Sequence, residues 1–270
     1  MKVVLFCGGM GMRLREVSDA IPKPMVEIGY RPILWHIMKY YAHYGHKDFI
    51  LCLGYKADVI KNYFLNYNEC QSNDFVLSKG SKEVKLFNTD IDDWNITFAD
   101  TGVASNIGQR LTAVRKYLEG EEVFLANYAD GLTDLHLPCV IDNFLSKKKV
   151  ASFVAVKPRH SFHVVSMKDD DTVSEIRHLS RSNIWINGGF FTFTNRIFDF
   201  IRNGEELVNE PFQRLIDEGE LITYKYDGFW ASMDTFKDKQ ELEEFYQKGN
   251  PPWQVWNSKG TAVISQGSGS

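Results

Sequence analysis

The chain has 270 residues, 44% hydrophobic and 24% charged, and 31 Lys/Arg against 35 Asp/Glu give a formal net charge of −4. This is the composition of a globular protein with a sizeable core, and it excludes a fibrous, disordered or disulfide-stapled chain. The acidic balance argues against a nucleic-acid partner, because phosphate backbones select basic faces.

Lys2–Cys7 (KVVLFC) is a short apolar run and predicts a buried strand. Apolar or aromatic residues at 33, 34, 37, 38 and 41 predict a helix over Ile33–His43, stopped by Gly45. Asp48–Leu53 reads as a second strand, and the face at 59, 60, 63, 64 and 67 as a helix over Ala57–Tyr67. Strands are expected at Asn95–Ala99, Val123–Asn127 and Ala151–Val156, with helices at Leu111–Leu118 and Pro138–Leu145 between them. Continuous apolar strands alternating with amphipathic helices imply an α/β, Rossmann-like, mostly parallel sheet flanked by helices. After residue 156 short strands take over, at Phe162–Met167, Thr172–His178, Ile184–Phe193 and Ile222–Tyr226, before a last helix at Phe236–Gln247. Residues 1–256 read as a single domain, with 1–156 as one half and 157–256 as a smaller lobe on the same sheet. Residues 257–270, ending in SQGSGS, read as a flexible tail.

Cys7, Cys52, Cys70 and Cys139 form no CxxC pair and no Cys/His metal spacing. Cys7 and Cys52 lie in apolar runs and read as buried thiols. The first apolar run is too short for a signal peptide, and no stretch approaches the ~18 apolar residues of a membrane span. A reducing, cytoplasmic setting without membrane association is the expectation.

In open α/β sheets ligands gather at the carboxyl ends of the strands. Three features fall there: the loop after Lys2–Cys7, the turn Asp100-Thr101-Gly102, and Tyr128-Ala129-Asp130. The loop holds Gly8, Gly9 and Gly11 followed by Arg13. Its glycines let backbone N–H groups approach a polyphosphate, and Arg13 adds a cation able to bridge phosphate oxygens. It is neither a Walker loop nor a complete GxGxxG, because no GK[ST] follows and Leu14 stands where the last glycine would be. A tight strand-to-helix turn is the plainer alternative. Nine residues on, Pro22 and Pro24 hold Lys23 in an extended segment. Such a lysine suits charge developing on a phosphate, or is simply a surface residue between turn prolines. Asp130 ends an apolar strand, where a charge needs a partner. Asp234, just before the last predicted helix, is either a site residue or an N-cap.

The run GGMGMRL, then PKPMVEIG and ILWHIMKYY, resembles the signature of the sugar-1-phosphate nucleotidyltransferases. The likeness continues through DDWNITFADTG, NYADGLTD, WINGGFF, GFWASMDTFKDK and PPWQVW, nearly the whole chain to about residue 256, and leans to the cytidylyl branch. It implies Mg²⁺ held by Asp130 and Asp234, CTP as nucleotide, and Thr101 and Gly102 at the base. It also implies a phosphorylated acceptor attacking the α-phosphorus, with Arg13 and Lys23 as catalytic groups and pyrophosphate as product. Residues 1–156 then bind nucleotide and 157–256 the acceptor, with a homo-oligomer expected. UTP or dTTP as nucleotide, or a non-catalytic nucleotide-binding homologue, are the alternatives.

The acceptor side departs from the family pattern. His178-Leu179-Ser180 stands where a Glu-Lys-Pro segment is usual, with Arg177 and Arg181 beside it. His163 follows Phe162 where a glycine is common, and Ala129 replaces another glycine. Tyr128, His163, Arg177, His178 and Asn187 are the expected acceptor contacts. The acceptor is then a sugar 1-phosphate such as glucose 1-phosphate, or another small phosphorylated metabolite such as a phosphorylated amino acid or amide.

Overall fold

The computed structural model describes residues 1–9, 21–159 and 162–257. Its described residues build a seven-stranded sheet in the spatial order Leu221–Tyr226, Ala151–Val156, Ile186–Thr194, Val123–Asn127, Val3–Phe6, Asp48–Leu53, Asn95–Asp100. Six of these strands run parallel to one another, and Ile186–Thr194 runs antiparallel to both its neighbours. The sheet is therefore the α/β, mostly parallel one that the hydrophobic runs imply, and strands from both sides of residue 156 contribute to it.

The central strands are buried on both faces, which is why they lack a period-two pattern. One face packs against the helices Ile33–His43 and Phe236–Gln247 through residues such as Leu34, Met38, Trp35 and Leu242. The other packs against the helices Ile107–Val114 and Glu210–Asp217 through Leu111, Val114, Phe212 and Leu215.

Boundaries moved where local hydrogen bonding outweighed hydrophobic periodicity. The helix expected from Leu111 begins at Ile107, because Asn106 and Gln109 form a reciprocal capping box. Its last turn tightens to a 3₁₀ segment over Arg115–Leu118. Sequence periodicity gave no warning of the exposed hairpin Phe75–Ser78/Glu83–Leu86 or of the three-residue pair Gly131–Thr133/Trp230–Ser232. The C-terminal aromatics fold back on the core: Trp253 donates 3.4 Å to His36 Nδ1, and Trp256 stands edge-on to Trp35 at 6.0 Å between ring centroids. Of the predicted tail, residues 258–270 lie outside the described residues.

Candidate active site

Asp130 and Asp234 lie 104 residues apart, and a short ladder brings them together. Gly131–Thr133 pairs antiparallel with Trp230–Ser232, with Ser232 opposite Gly131. Continued by one residue, that register sets Met233 against Asp130, and the Met233 N–H donates 2.9 Å to the Asp130 carbonyl. Each carboxylate thus leaves the same end of a two-stranded ribbon.

Lys23 completes the cluster. It opens a 3₁₀ turn, Lys23–Met25, anchored by buried Pro24 and Met25. Its Nζ donates 2.7 Å to Asp130 Oδ2 and 2.8 Å to Asp234 Oδ1. The surface-lysine alternative is excluded, for the Lys23 side chain is only 15% exposed. Burial pushes the Asp130 carboxyl up from its ordinary range, against the pull of Lys23, and neighbouring Asp234 pushes it the same way. Burial alone would lower the Lys23 pKa, but the two carboxylates overcome it and hold the ammonium more firmly charged.

The N-cap alternative for Asp234 is also excluded. Thr235 caps the last helix, its hydroxyl accepting from the Asp238 N–H, while Asp238 bonds back to the Thr235 N–H. Asp234 instead accepts from the Ser232 hydroxyl at 2.9 Å on the oxygen not bonded by Lys23. Ala129, in the left-handed region at φ 62°, turns the chain just before Asp130, and its N–H is held by Asn127 Oδ1 at 2.8 Å.

These three residues sit at a cavity of about 490 Å³ over the carboxyl ends of the central strands, which Gly9 and Tyr128 also line. Arg110 and Glu206, which sequence reasoning missed, also line it. Arg110 is buried, and Nη1 donates to the carbonyls of Leu53 and Gly102 at 3.2 and 2.9 Å and to the Thr101 hydroxyl at 2.7 Å. Nη2 donates to the Gly8 carbonyl at 3.0 Å and to that of Val103 at 3.4 Å. Gly8 must be glycine for this packing, because a Cβ there would meet Arg110 Nη1 at 2.0 Å. Glu206 accepts from the Leu207 N–H at 2.9 Å and the Ile107 N–H at 3.3 Å. Nothing in local spacing marks either residue: Arg110 lies on a helix face among apolar positions, and Glu206 in a loop.

The other expected site residues fall in three groups. Thr101 and Gly102 stand behind Arg110 rather than on the cavity wall. The Thr101 N–H bonds to Leu53, the Gly102 N–H to Asp100, and the Gly102 carbonyl receives Arg110. The turn therefore steadies a guanidinium that itself lines the cavity. Tyr128 lines the cavity, and Asn187 donates to its hydroxyl at 3.4 Å while accepting from the Gly189 N–H. His163, Arg177 and His178 lie on a separate hairpin, His163–Met167/Val173–His178, and are not brought to the cavity wall. There His163 pairs with His178, their ring centroids 5.3 Å apart, and exposed Arg177 bonds to Glu175. Gly11 and Arg13 lie outside the described residues.

Among the described residues no group of three or more His, Cys, Asp or Glu side chains could hold a metal by itself. A pair of carboxylates that already shares one cation suits a hard ion completing its shell with substrate oxygens and water. No helix among the described residues is long and apolar enough to cross a membrane.

Comparison with known proteins gives the family. Residues 2–249 match the nucleotidyl transferase family. The sequence is 40% identical over 257 residues to the glucose-1-phosphate cytidylyltransferase of Salmonella typhimurium, covering 95% of this chain and 100% of that protein. A solved UDP-glucose pyrophosphorylase, complexed with UDP-glucose, shares the fold at TM-score 0.66 and 14% identity, over 92% of this chain and 98% of that one. So does HddC from Yersinia pseudotuberculosis, at TM-score 0.63 and 20% identity, over 91% and 99%. A mostly parallel sheet with paired carboxylates and a lysine at its carboxyl rim, in a chain so closely matched along its length, makes this protein an enzyme of the nucleotidyl transferase family.

Proposed function

We propose that the enzyme transfers CMP from CTP to a small phosphorylated acceptor and releases pyrophosphate. The observation that carries this is the Lys23 ammonium held between Asp130 and Asp234 in the lining of the cavity, in a chain 40% identical to a glucose-1-phosphate cytidylyltransferase.

A phosphate oxygen of the acceptor attacks the α-phosphorus, and the bond to the β-phosphate oxygen breaks on the opposite side. The leaving group is stable and no protein nucleophile is needed, so the residues supply alignment and charge. Lys23 neutralises charge growing on the α-phosphate. Gly9, and with it Gly11 and Arg13, hold the β- and γ-phosphates, and Gly8 leaves room for Arg110. Arg110, backed by Thr101 and Gly102, forms the base end. Glu206 lies on that wall, where a carboxylate would repel phosphate and therefore faces the nucleoside. Asp130 and Asp234 would hold Mg²⁺, which when bound offsets the charge of the phosphates.

Tyr128 and Asn187 face the acceptor, with His163, Arg177 and His178 on the neighbouring hairpin. The acceptor is a sugar 1-phosphate such as glucose 1-phosphate, or another phosphorylated metabolite such as a phosphorylated amino acid or amide. The altered 178–180 segment favours the second class. The proposal includes residues 1–256 as one domain, a homo-oligomer, and a reducing, cytoplasmic compartment. Apolar surface on the exposed hairpin, including Phe75, Leu77 and Val84, supports assembly, and four free thiols support the compartment.

The test is product analysis with CTP, UTP, dTTP and ATP, each with a panel of phosphorylated acceptors. A CDP-linked product formed faster than any other supports the proposal. Equal or better use of UTP or dTTP overturns the base assignment.

A further inference from the structure

The place between the two carboxylates is already taken by a cation that belongs to the chain. Lys23 Nζ is 2.7 Å from Asp130 Oδ2 and 2.8 Å from Asp234 Oδ1, and these partners are 107 and 211 positions away in sequence. Each member of the trio is placed independently. Buried Pro22 and Pro24 flank the lysine, left-handed Ala129 turns the chain into Asp130, and Ser232 braces Asp234. The three side chains are 15%, 26% and 32% exposed, so their charges act through a medium less screening than bulk water.

A magnesium-sized ion bonded to the same two oxygens would stand about 2.1 Å from each. An ammonium at hydrogen-bond distance from both occupies that space, so one must leave before the other enters. The lysine has a flexible four-carbon stem and a compact head with three donors, and it lines the cavity directly. A phosphate oxygen entering the cavity gives that head somewhere to go.

We infer that Lys23 is an internal countercation that plugs the divalent-cation site and is drawn out by nucleotide phosphate, so that metal and nucleotide bind as a coupled pair. The plug keeps two adjacent carboxylates satisfied before substrate arrives. It also disfavours metal without nucleotide. The coupling is reciprocal, so the factor that nucleotide adds to metal affinity is the factor that metal adds to nucleotide affinity. The inference rests on the proposed assignment of Asp130 and Asp234 as the ion's ligands, and on no particular nucleotide or acceptor.

The experiment titrates Mn²⁺ into the full-length chain without nucleotide and reads free Mn²⁺ by electron paramagnetic resonance. The proteins are wild type, Lys23→Met, Lys23→Gln, Lys23→Arg and Lys23→Met/Asp130→Asn, each checked by thermal melting. Both neutral variants are expected to bind one Mn²⁺ more tightly than wild type, on the order of tenfold or more, because a positive charge has left the site. Lys23→Arg stays as weak as wild type, and the double variant loses the gain. The inference is overturned if folded Lys23→Met or Lys23→Gln binds no tighter than wild type, or if Lys23→Arg tightens binding equally. Turnover with CTP alongside unchanged Mn²⁺ affinity sinks the plug and leaves the proposed function standing. Tightened Mn²⁺ binding in the neutral variants, when wild type itself releases no pyrophosphate, does the reverse.

Discussion

Replacing Gly8 with alanine tests whether Arg110 is locked into the wall of the cavity. A Cβ at Gly8 would lie 2.0 Å from Nη1, 2.3 Å from Cζ and 2.8 Å from Nη2 of Arg110. A free guanidinium could swing aside, but this one is tied to the carbonyls of Leu53, Gly102 and Gly8 and to the Thr101 hydroxyl. The methyl group therefore expels it and strands those acceptors. Hydrogen bonds to a charged group contribute about 1.5–3 kcal/mol each and do not add fully. Losing two or three of them, while the released guanidinium regains water, costs on the order of 3 kcal/mol. For a chain of this length that lowers Tm by roughly 6–12 °C. Calorimetry on Gly8→Ala, Arg110→Met and the double variant reads the effect. In the Arg110→Met background the added methyl has nothing to displace, so its own cost should fall to about 0.5 kcal/mol or less. A Gly8→Ala protein that melts with wild type, or a cycle in which the two costs simply add, would refute the reasoning.

Three further outcomes follow from the same geometry. Thr235→Ala removes the cap of the last helix and should cost about 1 kcal/mol of stability while turnover stays at the wild-type level; urea denaturation paired with a pyrophosphate assay checks both. Lys23→Met should lower kcat by about 10²–10³, the usual effect of removing one preorganised charge-stabilising group, with far-ultraviolet circular dichroism unchanged. His36 is buried between the Ile28 carbonyl and the Trp253 indole, and burial lowers its pKa to about 4. A His with a depressed native pKa is protonated first in the unfolded chain. Its contribution is therefore intact above about pH 6.5 and is lost as pH falls toward 4, by up to about 3 kcal/mol. A pH series of unfolding free energies on wild type and His36→Phe should show that part of the acid sensitivity missing from the variant.

The parts of this molecule legible in its sequence are those fixed by local pattern. Val3–Phe6, and residues 49–53 and 123–126 of the next two strands, are apolar throughout, because a parallel sheet covered on both faces gives water no side to reach. Lys23 was recognisable because prolines flank it, and the two aspartates because their segments, NYADGLTD and GFWASMDTFKDK, resemble the family signature. What stayed hidden depends on partners far along the chain. The pair Gly131–Thr133/Trp230–Ser232 is too short for a period, yet its register sets Asp234 beside Asp130. Arg110 resembles any polar residue of an amphipathic helix until folding aims it at carbonyls at the ends of three separate strands. The turn at Thr101 and Gly102 was visible as a short polar turn after a strand, but not that its hydroxyl and carbonyl steady that arginine. The histidines were visible as departures from a pattern, but only the fold sets His163 opposite His178 on a hairpin of their own.

The central claim is that Lys23, Asp130 and Asp234 form the reaction centre, and it is tested most directly at the carboxylates. Pyrophosphate release should be measured for wild type, Asp130→Asn and Asp234→Asn, with CTP and a panel of phosphorylated acceptors. Both side chains keep contact with solvent, so the isosteric amides should fold. Release by wild type with at least one acceptor, falling by about 10² or more in both variants at nearly unchanged Tm, is the predicted result. Wild-type turnover in either folded variant would contradict it.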